Sequence, residues 1–198
     1  MNKLQFCGFN IYSIYIGNDI VNSSKILSEF YLQKNKHLYS HYINNRWENI
    51  YLTPILVPSV LPLLTFATSF AKKTFKQKLI IPHELYGFEK NEFWFNIAKP
   101  GESTELHNHK AKSSISGVFY LKVPENSGNI IFTSGKKHKF EIEAKPSNII
   151  LFPSLLNHYV PKNRSCLERI SLSFNCFKFP LDKSQMAYGY EKSKYFSL

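Results

Sequence analysis

His107 and His109 flank Asn108, setting two imidazoles two residues apart. In an extended strand, residues at that spacing face the same way, so both rings can reach one point. A third imidazole, His158, follows the apolar stretch Leu151-Phe152-Pro153-Ser154-Leu155-Leu156-Asn157. Two ligands from one segment and a third from another strand make a facial three-ligand metal site, which leaves coordination positions open. Shortly after comes Arg169-Ile170-Ser171-Leu172-Ser173-Phe174. Period two puts Arg169, Ser171 and Ser173 on one face of a strand and Ile170, Leu172 and Phe174 on the other. An inward guanidinium is costly unless an anion pairs with it, and a carboxylate can do so through two parallel hydrogen bonds. A bound dicarboxylate near the metal would be such a partner. The other histidines lack this context: His138 lies among lysines, and His37, His41 and His83 have no metal-like neighbours. Trp47 and Trp94 read as packing residues, and Arg164 as solvated charge.

These residues need strands to hold them. Beyond Pro82 the chain runs in short apolar or aromatic stretches, at 93–97, 116–123, 129–133, 149–152 and 169–174. Pro100-Gly101, the segment 124–128 and Ser134-Gly135 break them. Many short strands at this spacing predict a β-sandwich or barrel. The first half differs. Residues 11–16 suit an early strand, Asn18 or Asp19 could cap a helix running to Leu32, and Ser59 could cap a second helix. That second helix carries Leu63, Phe66, Ala67 and Phe70 on one stripe, with lysines in its last turns. The sequence therefore predicts one domain over 1–198, with a helix-rich part at 1–85 packed on a β core at 86–180.

Composition narrows the class. The 198 residues are 43% hydrophobic, enough for one substantial core. The most apolar stretch, 53–70, carries Pro54, Pro58 and Pro62, which argues against a membrane span. No clean signal-peptide core appears, and Cys7, Cys166 and Cys176 are too few and too far apart for a disulfide framework, so a cytoplasmic protein is expected. The net charge of +11 raises nucleic-acid binding. Yet the basic residues are nearly all lysine, clustered at Lys72, Lys73, Lys76 and Lys78 and at Lys136, Lys137 and Lys139, and solvated surface is the plainer reading.

In order, the chain reads His107-Asn108-His109, Ser116-Gly117-Val118-Phe119-Tyr120, Phe152-Pro153-Ser154, His158 and Arg169-Ile170-Ser171-Leu172-Ser173-Phe174-Asn175. This combination, over 91–176, resembles the 2-oxoglutarate/Fe(II)-dependent oxygenase family. The resemblance implies a mainly β fold with N-terminal helices, a double-stranded β-helix of the jelly-roll or cupin-like kind. It implies Fe(II) held by His107 and His158, with His109 where related enzymes usually place Asp or Glu; Glu105 is an alternative third ligand. It further implies 2-oxoglutarate held by Arg169 with help from Ser171 and Tyr120, O2 as oxidant, and hydroxylation of a substrate that is either a small molecule or a macromolecular side group. A homodimer is the assembly to test. Two rival readings stay open. One is a cupin-type metal protein on the same fold, although the glutamate such a motif needs is replaced by Lys112, Ser113 and Ser114. The other is a non-catalytic, basic nucleic-acid-binding protein.

Overall fold

The computed structural model describes every residue except Glu89, Lys112, Lys136, 182–195 and Leu198, so the expectations at Lys112 and Lys136 lie outside the described residues. The strands are β1 (Asn2–Phe6), β2 (Phe9–Tyr15), β3 (Leu38–Ile43), β4 (Arg46–Tyr51), β5 (Leu79–Ile80), β6 (Phe93–Ala98) and β7 (Thr104–His107), followed by β8 (Ile115–Lys122), β9 (Ile130–Ser134), β10 (His138–Ile142), β11 (Asn148–Pro153), β12 (Asn157–Val160), β13 (Arg169–Lys178) and β14 (Phe196–Ser197). Two helices, α1 (Ser23–Leu32) and α2 (Val60–Phe75), interrupt the first half. The major sheet runs β1-β2-β11-β8-β13-β6-β4-β3-β14, with β5 on β13, and the minor sheet runs β10-β9-β12-β7. All pairings are antiparallel. Together the two sheets form the double-stranded β-helix.

Alternation on the major sheet sorts its side chains into two environments. Phe93, Phe95, Phe119, Ile170, Leu172 and Phe174 face the helices and join Val60, Leu63, Leu64, Ala67 and Ala71 of α2 and Ile26 and Phe30 of α1 in one core. Full burial of side chains of this size stabilises by about 1.5–3 kcal/mol each, which is why the helices sit on this sheet face. The other face looks toward the minor sheet, where Val118, Tyr120, Ile130, Phe132, Ile150 and Phe152 form a second, smaller cluster. Gly117 stands where the first core is tightest. A Cβ there would lie 2.2 Å from Phe174 Cζ and 2.7 Å from Leu151 Cδ2, so only glycine fits.

The first 85 residues carry more strand than their sequence predicts. They supply both helices, but also strands that hydrogen-bond to the barrel on both flanks, β2 to β11 and β4 to β6. The α1 cap lies later than either expected residue: Asn22 accepts from the Lys25 N–H at 2.9 Å, while the Ile20 and Val21 N–H groups bond to the Gly17 carbonyl. Ser59 precedes α2 as expected but does not cap it through its side chain. Instead its hydroxyl and N–H both donate to the Glu29 carboxylate, at 2.7 and 2.9 Å. An anion is favoured at that helix N-terminus, so Glu29 of α1 does the work of the cap and ties the helices together.

Candidate active site

Strand register builds the site. On the minor sheet, His158 of β12 sits opposite Phe132 of β9 on one side and His107 of β7 on the other, forming one row. On the major sheet, Ser171 of β13 sits between Tyr120 of β8 and Asn96 of β6, and Ser173 sits between Val118 and Trp94. A cavity of about 410 Å³ lies between these rows, lined by the three metal-type histidines, Arg169, Ser171, Tyr120, Trp94 and Asn96.

His107, His109 and His158 do converge, with candidate ligand atoms all within 4.8 Å of one another. The strand argument for His109, however, is corrected. β7 ends at His107, and His109 reaches the cluster from the following loop. Two contacts fix that loop: the His109 N–H donates to the Ser154 carbonyl at 2.8 Å, and Asn108 Nδ2 donates to Asn157 Oδ1 at 2.6 Å. β11 ends at Pro153, and the turn after it leads into β12, which carries His158 beside His107.

The donor set suits a metal. His107 Nδ1 donates to the Glu105 carbonyl at 2.7 Å and His158 Nδ1 to the Leu156 carbonyl at 2.9 Å, which fixes both tautomers with a lone pair on Nε2. Burial, with His107 nearby, holds His158 well below the usual imidazole range, so it stays neutral and able to coordinate. Glu105, the alternative ligand, is exposed and outside the histidine cluster, and its carboxylate accepts from Asn44 Nδ2 at 2.8 Å.

Arg169 is only 2% exposed. Its Nη1 donates to the Ser127 and Gly128 carbonyls at 2.7 and 3.0 Å, and among the described residues no carboxylate pairs with it. Burial pushes its pKa down, as expected of a buried cation without an anion. Gly128, at φ +94°, lets the chain pass this close: a Cβ would stand 2.8 Å from the Pro161 carbonyl and 3.1 Å from Arg169 Nη1. Burial pushes the Tyr120 hydroxyl up to about 12, with Arg169 opposing, so it stays protonated at neutral pH. These groups fit an anionic co-substrate.

The family model described as "Putative 2OG-Fe(II) oxygenase" matches the chain in two overlapping segments, 92–141 and 133–175. Over 92–175 the barrel therefore resembles that of the 2-oxoglutarate/iron(II) oxygenases. Iron(II) is the metal of that family and 2-oxoglutarate and O2 its co-substrates, and the histidine cluster is the candidate metal site. Solved structures share the fold at low identity. A prolyl-4-hydroxylase from Pseudomonas putida is 15% identical, with a TM-score of 0.62 over 85% of this chain and 92% of that one. A prolyl hydroxylase from Trichoplax adhaerens, in complex with a hypoxia inducible factor peptide fragment, is 13% identical, with a TM-score of 0.64 over 93% and 88%. HygX from Streptomyces hygroscopicus, with nickel and 2-oxoglutarate bound, is 10% identical, with a TM-score of 0.61 over 89% and 85%. No curated protein sequence matches the chain.

Several residues of the oxygenase cavity escape a sequence reading. Trp94 forms part of its wall, with its ring 5.9 Å from that of His109, as well as packing beside Tyr51. Glu48, Asn49 and His41 line it from β3 and β4, strands that the sequence does not announce. Asn96 carried a signal: it is the single polar residue in the apolar run Phe93-Trp94-Phe95-Asn96-Ile97-Ala98. Among the described residues, no helix is long and apolar enough to cross a membrane.

Proposed function

We propose that this oxygenase hydroxylates its substrate, with His107, His109 and His158 holding iron(II) and Arg169, Ser171 and Tyr120 receiving 2-oxoglutarate. The observation that carries the reading is the facing of two rows across one cavity, His107 and His158 on one sheet and Tyr120 and Ser171 on the other. When bound, iron(II) with 2-oxoglutarate and dioxygen supplies the oxidising power, and 2-oxoglutarate leaves as succinate and carbon dioxide. The chain's residues bind and orient. Bonds from Nδ1 to backbone carbonyls hold the His107 and His158 rings in place, so the site is formed before any ligand enters.

With Nη1 committed to two carbonyls, Arg169 offers its remaining N–H groups to a carboxylate, and the Tyr120 and Ser171 hydroxyls stand on the same cavity wall. Val118, Ile130, Phe152 and Val160 supply apolar wall that keeps water from this end. His41, Asn49, Leu106 and Lys110 also line the cavity and are left for the substrate, small molecule or macromolecular side group. Residues 86–180 hold the iron and co-substrate groups in this reading, while 1–85 add the helical backing and the β4 wall. Free thiols at Cys7, Cys166 and Cys176 support a cytoplasmic setting, and light scattering tests the homodimer that belongs to the same proposal.

The deciding experiment gives the folded chain iron(II), ascorbate, oxygen and 2-oxoglutarate. Slow formation of succinate without added substrate is expected, as is a visible charge-transfer band when iron(II) and 2-oxoglutarate are mixed anaerobically. A folded, iron-loaded chain that does not bind 2-oxoglutarate would refute the proposal.

A further inference from the structure

The substrate end of the cavity is built of hydrogen-bond acceptors whose donors are already used. Asn96 is 9% exposed; its Nδ2 donates to the Glu48 backbone carbonyl at 2.8 Å, which fixes the amide orientation, because only the nitrogen can donate to a carbonyl. Among the described residues, Asn96 Oδ1 has no hydrogen-bond partner, and the residue lines the cavity. Glu48, 8% exposed, lines the same cavity. Its Oε1 meets Arg46 Nη2 at 3.3 Å, while Oε2 makes no hydrogen bond among the described residues. Asn49 repeats the pattern, its Nδ2 directed at His41 Nδ1 and the Tyr51 hydroxyl.

Charge points the same way. Arg46 is one cation shared between two carboxylates, Glu48 at 3.3 Å and Glu102 at 3.4 Å, and it is further held by the Ile97 carbonyl and Thr104 Oγ1. Two carboxylates thus share one cation, and Glu48, whose pKa burial pushes up against the pull of Arg46, is the one on the cavity wall. Buried carboxylate oxygen and fixed amide oxygen call for a ligand that brings donors and positive charge. In a chain of net charge +11, Glu48 and Glu105 line this cavity together with Lys110 and Arg169.

We infer that the substrate presents an ammonium or guanidinium group, received by Glu48 and Asn96, making these two residues determinants of specificity. The inference rests on the proposed function, since it assigns the substrate end of the same cavity.

Binding of butylammonium, butylguanidinium and uncharged butyramide is measured by protein-observed NMR on the full chain loaded with zinc(II) and 2-oxoglutarate, for wild type and Glu48→Gln. The wild type should bind the two cations at least tenfold more tightly than butyramide, and Glu48→Gln should lose that preference while binding butyramide as before. Equal binding of cations and butyramide by the wild type overturns the inference, without recourse to any variant. A preference that survives in Glu48→Gln overturns the role of Glu48. Binding of 2-oxoglutarate, followed in the same samples, separates the two readings. Absence of cation preference in the wild type with 2-oxoglutarate bound sinks the inference alone, and cation preference in the wild type without 2-oxoglutarate binding supports it while sinking the co-substrate assignment.

Discussion

Arg169→Gln isolates the co-substrate contact from the metal contact. Two of the five guanidinium N–H groups, those on Nη1, are taken by the Ser127 and Gly128 carbonyls, leaving one edge of the fork for a carboxylate. Two charge-assisted hydrogen bonds on that edge are worth about 1.5–3 kcal/mol each. Glutamine retains a neutral donor, and the Tyr120 and Ser171 hydroxyls remain, so a net loss of about 3 kcal/mol is expected, roughly a hundredfold in 2-oxoglutarate affinity. The fold should suffer little. The variant gives up bonds to two carbonyls, worth about 1 kcal/mol each, but also removes a buried cation that has no carboxylate partner. Thermal unfolding of the iron-loaded protein, with 2-oxoglutarate at a hundred times its wild-type Kd, reads this directly. Ligand stabilisation of about 2.7 kcal/mol in wild type should fall to about 0.4 kcal/mol in the variant. Iron affinity without 2-oxoglutarate should be unchanged. A variant that binds 2-oxoglutarate within twofold of wild type would show that another group holds the carboxylate.

Replacing His109 by Ala should weaken iron(II) binding by at least about tenfold, since losses outside the ligand sphere alone reach that size. His109→Asp keeps a ligand atom and adds the negative charge the site lacks, so it should bind iron(II) at least as well as wild type; competition with a chelator measures both, and an Ala variant of undiminished affinity would remove His109 from the ligand set. The metal-free protein should lose stability in acid, because burial lowers the pKa of His37, His83 and His158. A histidine held neutral in the fold takes up its proton more readily in the unfolded chain, so its stabilisation is complete above the unfolded pKa of about 6.5 and is lost as pH falls below it. His158 alone contributes a slope of up to about 1.4 kcal/mol per pH unit. Chemical denaturation between pH 8 and 5 measures it, and a flat profile would mean that these rings are solvated.

The chemistry was legible in the sequence where local order and strand period coincide. Arg169 and Ser171 alternate with Ile170 and Leu172 on a single strand, and the structure sends the first pair to the cavity and the second to the core. His107 and His109 were legible for a different reason than their spacing, because the loop after β7 delivers His109 through a bond to the Ser154 carbonyl. Glu48 was not legible. Its strand reads Arg46-Trp47-Glu48-Asn49-Ile50-Tyr51, half polar, and it becomes a strand because β3 and β6 flank it in the sheet. Tertiary pairing overrides weak β-propensity there, and no local pattern reports it. The α1 start was misplaced, its cap being Asn22 rather than Asn18 or Asp19, while the α2 start after Ser59 was legible and its tie to Glu29, thirty residues away, was not.

The same division explains how the cavity holds opposite charges a short way apart. Arg169 comes from the middle of the major sheet and is fixed by carbonyls of the loop before β9, while Glu48 comes from β4, two strands along. An imidazole carries no charge when it coordinates a metal, so iron(II) would bring two positive charges and 2-oxoglutarate two negative ones. Besides Lys110 and Glu105 on the same lining, there remain the Arg169 cation and the Glu48 carboxylate, each held by hydrogen bonds within the chain. Such polarity orients what enters: an anion is drawn to Arg169 and repelled by Glu48, and a cation the reverse. If Arg169 receives 2-oxoglutarate and Glu48 the substrate, as proposed, this polarity would keep the two from exchanging places, which a metal site with uniformly neutral walls would not achieve.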